Sequence, residues 1–148
     1  MIFDRTISDV RKAQEIRQNK LQNGIPLNLS DIEILERGTI TYTTLNRIEL
    51  KQSELSDILK GMGYYAKIKS KSWSGTDAFY ESDIQRICDN NSALRQAFFV
   101  YSDSPEDAAP AFEYEEINSL EHILYDLERM IDFTKSAYRY CGAAECGG

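Results

Sequence analysis

No segment of this chain approaches the roughly 18 consecutive apolar residues of a membrane-spanning helix, so none is expected. The opening MIFDRTISDV has no basic stretch leading into an apolar run, so no secretory signal is expected either. Cysteine is scarce and odd in number, at three, which argues against a full disulfide framework and fits a chain made in a reducing cytoplasm. Histidine occurs once, at His122, so any Ser-His-Asp or Cys-His arrangement has a single residue to use. No glycine-rich phosphate-binding loop is present. Positive charge is in deficit: 17 Lys and Arg face 24 Asp and Glu, a net charge of −7. That disfavours broad binding to nucleic acid or an anionic membrane, which depends on neutralising phosphates.

What is present is an ordinary globular composition, 42% hydrophobic and 28% charged over 148 residues. The stretch that organises it is Thr41 to Met62. Leu45, Ile48, Gln52, Leu55, Leu59 and Met62 recur at alternating steps of three and four, one seam of a helix lying along a partner. A longer seam of the same kind runs through Ile117, Leu120, Leu124, Leu127, Ile131, Thr134 and Tyr138, with Ile123, Met130 and Ala137 widening it. That helix is predicted from about Glu115 to Tyr140, a rod of roughly 35 Å.

Shorter helices fill the rest. Thr6 and Asp9 have capping-box spacing ahead of Val10, Ala13 and Ile16, with Leu21 further on the same stripe, and Asn23-Gly24 with Pro26 ends that helix. Ser30 and Glu33 predict a second box, opening a short helix with Ile32 and Leu35 inward and Gly38 at its end. Thr41 or Thr43 caps the third helix. A fourth is predicted from near Ser82, with Gln85 at box spacing and Ile84, Ile87, Cys88, Leu94, Ala97 and Phe98 buried. Asn90-Asn91 interrupts that stripe and is expected to bend or weaken it. Residues 102–111 carry two prolines and three acids and read as an exposed connection.

The expected fold is therefore all-α: a bundle of about five helices with two long heptad-patterned ones, in a single domain spanning 1–148. Within it, 1–63 holds the N-terminal helices, 64–81 an irregular connection with a possible short extended segment, 82–140 the C-terminal helix pair and 141–148 a Cys/Gly tail. The two seams either meet inside the chain or meet those of another subunit.

Few residues invite chemistry. The acids of the last helix suit its first turn and solvated face. Cys141 and Cys146 are separated by four residues; with Cys88 and His122 they make weak zinc ligands, and free thiols or a small-loop disulfide are the other readings. No catalytic residue and no cofactor is expected. The richest surface candidate is 64–80, where Tyr64, Tyr65, Trp73, Phe79 and Tyr80 interleave with Lys67, Lys69 and Lys71. Such a mixture suits a cap over the bundle end, then a protein interface, then sugar stacking, then a nucleic-acid strand.

Three stretches resemble a known group. DRTISDVRKA at 4–13, IEILERGTITYTTLNRIELKQSEL at 32–55 and CGAAEC at 141–146 are similar to small structural proteins of phages and prophages in Firmicutes. Those chains pair an Arg-Thr-x-x-Asp-Val opening with a Leu-Asn-Arg-Ile-Glu helix. The pattern also resembles an N-terminal module of larger tail or baseplate proteins; at 148 residues no effector domain is expected here. The resemblance implies a virion part made in the host cytoplasm. It acts by binding itself, as a homo-oligomer, and other tail components, with no nucleic-acid or membrane partner. It supplies no catalytic residues. Arg5, Asn46, Arg47 and Glu49 lie in its motifs; Arg47 and Glu49 are expected to pair with neighbouring helices, Asn46 to bond a turn backbone, and Arg47 joins the interface candidates. The alternative is a small acidic helical regulator or inhibitor of one host or phage protein.

Overall fold

A computed structural model describes the backbone of residues 1–146 and the side chains of residues 1–137. Among the described residues five α-helices follow one another: α1 (Ile7–Ile16), α2 (Leu29–Gly38), α3 (Tyr42–Gly61), α4 (Glu81–Ala97) and α5 (Tyr114–Cys146). No strand occurs among the described residues, so the fold is an all-α bundle as the spacings predict. No described helix is long and apolar enough to cross a membrane.

The core is a three-helix bundle in which α3, α4 and α5 each pack on the other two. The two seams meet within the chain. Leu45, Ile48, Leu55 and Leu59 from α3 are buried against Ile117, Leu120, Leu124, Leu127 and Ile131 from α5. Ile84, Ile87 and Leu94 close the third side from α4. Burying one such side chain stabilises a fold by about 1.5–3 kcal/mol, so these seams dominate the architecture.

α1 and α2 form a separate antiparallel pair joined through a short wide-turn helix at Arg17–Leu21 and a tight reversal at Gly24, whose φ is +67°. The two helices cross very closely at Gly38. A Cβ there would lie 2.1 Å from the Asp9 carbonyl oxygen and 2.5 Å from Ala13 Cβ. The predicted box at Thr6 is present, Asp9 Oδ2 accepting the Thr6 N–H at 2.8 Å.

Several expectations need correction. The second box uses Asn28 and Asp31 in place of Ser30 and Glu33: Asn28 Oδ1 accepts the Asp31 N–H at 2.8 Å, and Asp31 returns the bond at 2.9 Å. Asp31 wins because it also takes Lys20 Nζ at 2.6 Å, locking α2 to the turn after α1. Ile32 and Leu21 are exposed as a result. The fourth helix starts one residue before Ser82, with Asp83 bonding the Tyr80 N–H, and Gln85 instead reaches Asp89. α4 is unbroken through Asn90-Asn91, and both asparagines are buried. α5 runs on to Cys146, so residues 141–146 continue the helix and are no separate tail. Its 33 residues span about 50 Å. Ala137 is exposed and does not widen the seam, and Tyr138 lies outside the described side chains.

Candidate interaction site

Polar side chains buried between helices organise a region where irregular backbone covers the bundle. At its centre, Gln52 sits in the α3 seam and is fully buried. Its Nε2 donates to the Ile87 carbonyl at 2.9 Å and to Asn91 Oδ1 at 2.8 Å. Asn90 Nδ2 donates to Gln52 Oε1 at 3.0 Å, and Asn91 Nδ2 to the Leu120 carbonyl at 3.0 Å. One glutamine and two asparagines thus bind α3, α4 and α5 into fixed register, and every polar group is satisfied.

One turn earlier on α3 the same face carries Glu49, buried to 2%. Its carboxylate takes Arg86 in a fork, with both N–O distances 2.7 Å. Glu49 holds the guanidinium firmly protonated, raising an already high pKa further, mainly through these hydrogen bonds. Glu49 Oε1 also accepts the Trp73 indole N–H at 2.8 Å.

These side chains grip the connection 64–80. Asn90 brackets Lys69, accepting its N–H at 3.0 Å and donating to its carbonyl at 2.8 Å. Asn46 does the same for Trp73, at 2.8 and 2.9 Å. Between them the Lys71 N–H donates to Glu49. Asn46 therefore bonds loop backbone, as its motif position predicts.

The interface candidates separate into two groups. Trp73 is only 5% exposed and packs edge-on to Phe79, which stacks on Phe112; Tyr64 packs edge-on to Phe98. Tyr65 and Tyr80 are open to solvent at 73% and 64%. Arg47 lies elsewhere, pairing with Glu121 at 2.7 Å and Glu36 at 3.1 Å. Glu121, fully buried on α5, also takes Arg5 at 2.7 Å and the Ile2 N–H at 3.1 Å. Arg5 and Asn118 exchange further bonds, so the N-terminal arm and the α1–α2 pair are fastened to α5 there.

His122 is a boundary residue, stacked on Phe3 at 4.6 Å and 3.5 Å from Asp126. Cys88 lines the core, and burial, reinforced by nearby acids, pushes its thiol up to about 11. Cys141 and Cys146 lie outside the described side chains. Among the described residues no three His, Cys, Asp or Glu side chains converge to hold a metal.

Glu49, Arg86, Asn90 and Asn91 were not singled out as a unit by sequence. Their signal is present in hindsight: Asn46 and Glu49 are three apart, Arg86 and Asn90 four apart, each pair a polar stripe beside an apolar seam. Comparison of the chain with protein-family models, with curated proteins and with solved structures finds no match.

Proposed function

We propose that the chain is a non-enzymatic structural protein of a bacteriophage or prophage virion, seated in the tail or baseplate and working by assembly with itself and with other tail components. The observation that supports this reading is how the motif residues are used. Arg5, Asn46, Arg47 and Glu49 carry the resemblance, and each joins one element of the fold to another. A conspicuous motif whose residues each bond framework specifies a shape, and shape is what an assembly part contributes. The aromatic and basic connection 64–80, held rigidly over α3 and α4, then serves as contact surface.

The test is to express the full chain alone and with candidate tail proteins, followed by native mass spectrometry and electron microscopy. The reading expects a discrete homo-oligomer, or a stoichiometric complex with a tail or baseplate protein. A chain that stays monomeric, is absent from purified particles and instead captures one non-virion protein in a one-to-one complex would replace it with the regulator reading.

A further inference from the structure

We propose that the outward edge of residues 68–72 binds an extended acidic peptide, which adds to it as a β-strand. In an extended chain the N–H and C=O of one residue point to one side and those of the next to the other. Lys69, Lys71 and Trp73 turn theirs inward, onto Asn90, Glu49 and Asn46. The alternate residues Ile68, Ser70 and Ser72 therefore present theirs outward. Among the described residues none of these six backbone groups has a hydrogen-bond partner. A row of unpaired donors and acceptors on a segment pinned at three alternate residues is a ready template for another strand.

Side-chain placement fixes what fits. Ser70 leans towards α3, its Oγ 2.6 Å from Ser53 Oγ, beside a groove of about 310 Å³ that the exposed Leu50 also lines. Lys67 and Lys69 lean the other way, over a groove of about 510 Å³ against α4. The edge stands between the two, so a strand laid on it sends alternate side chains to alternate grooves. On the α4 side these meet the two lysines against one acid: Arg86 there is neutralised by Glu49, while Asp89, which accepts from the neutral Gln85 amide, keeps its charge and leaves the groove positive by one. On the α3 side they meet a slot of three serines and Leu50, with Asn46, Glu49 and Lys71 also on its wall. The matching peptide alternates acidic residues with small ones.

The same charges disfavour a second copy of this segment. Edge-to-edge pairing of two copies would bring Lys67, Lys69 and Lys71 against their counterparts, and like charges across a strand pair repel. An acidic partner gains what a second copy loses.

The probe is a fluorescein-labelled, end-blocked peptide alternating Glu and Thr over seven residues, titrated against the full chain by anisotropy. Two analogues carry backbone N-methyl groups on its odd or on its even residues, so that each blocks one edge of the peptide. We expect saturable binding of the parent, loss of binding for one analogue only, and none for a peptide with Lys in place of Glu. Bound, the amides of Ile68, Ser70 and Ser72 become protected from exchange. Ser70→Pro removes one outward donor while sparing the inward bonds, and weakens binding by about tenfold. If that variant fails to fold, the N-methyl pair on the unaltered chain decides. No saturable binding of the acidic peptide overturns the proposal, as does equal binding of both analogues, or self-association through this edge. The inference stands apart from the virion reading: a monomer that binds the peptide keeps the one and loses the other, and an oligomer that does not bind it does the reverse.

Discussion

Glu49 on α3 and Arg86 on α4 face each other in a two-pronged ion pair, with both N–O distances 2.7 Å and the carboxylate almost wholly shielded from water. The same carboxylate holds the ring of Trp73 and the backbone of Lys71. One acid thus fixes both the angle of two helices and the path of the connection over them.

Glu49→Gln leaves Arg86 partly buried with only the more distant Asp83, at 3.7 Å, as counter-charge. The expected loss is roughly 3 kcal/mol of folding stability, the usual cost of breaking a buried pair from one side. Urea denaturation followed by tryptophan emission measures it. Trp73 is the only tryptophan, so the emission reports on this site alone and should move to longer wavelength in the folded variant as the indole loosens.

Gln52→Leu tests the polar cluster beneath. The substitution keeps the seam apolar but strips partners from Asn90 and Asn91. Stability is expected to fall by about 2 kcal/mol, because an orphaned buried amide loses its solvation with nothing in return. Restoring balance with Asn91→Leu in the same chain should recover part of that loss, and a double-mutant cycle reads the coupling.

Gly38→Ala forces a methyl group into the Asp9 carbonyl, so α1 and α2 must separate. A cost of about 2 kcal/mol is expected. Adding Ala13→Gly should not rescue it, because the nearer obstacle is main chain. Amide exchange in α1 is the measurement, with α3 and α5 unchanged.

Acid should loosen the α1–α2 pair. The Lys20 ammonium bonded to Asp31 holds that carboxyl below its ordinary value of 3.8, and the Thr6 N–H does the same for Asp9. A depressed carboxyl stabilises the fold fully above its ordinary value, and that contribution falls away as pH drops through the folded one. As the pH falls below about 4 the amides of α1 and α2 should therefore lose protection, which amide exchange measures.

Cys88 should be inert to thiol reagents at pH 8 in the folded chain and reactive once unfolded, since burial pushes its thiol up to about 11. A variant carrying Cys141→Ser and Cys146→Ser isolates this thiol for a colorimetric assay.

The apolar seams were legible because a repeat of three and four needs no knowledge of the partner. Leu45 through Leu59 and Ile117 through Ile131 are buried as their spacing predicts. Polar residues carry no such signature. Asn90 and Asn91 read as an interruption because their partner, Gln52, lies 38 and 39 residues away on another helix. The box at Asn28 was hidden by a second plausible one at Ser30, and the choice turns on Lys20, a contact that spacing alone does not show. At 64–80 the irregular backbone was evident from composition, whereas the division into a buried Trp73 and exposed Tyr65 and Tyr80 depends on which way the segment is pinned.

The bond between the Arg5 backbone and Asn118 spans 113 residues, and the Arg5 guanidinium reaches Glu121 just beyond. On the ribosome, synthesis proceeds at about 5–20 residues per second, so the arm waits on the order of ten seconds for its anchor to be made. During that interval α1 and α2 can pair with each other and Glu36 can reach Arg47 on α3, but Asn118 and Glu121 do not yet exist. Folding of the whole therefore ends with the arm: residues made well before their anchor are among the last to find their place.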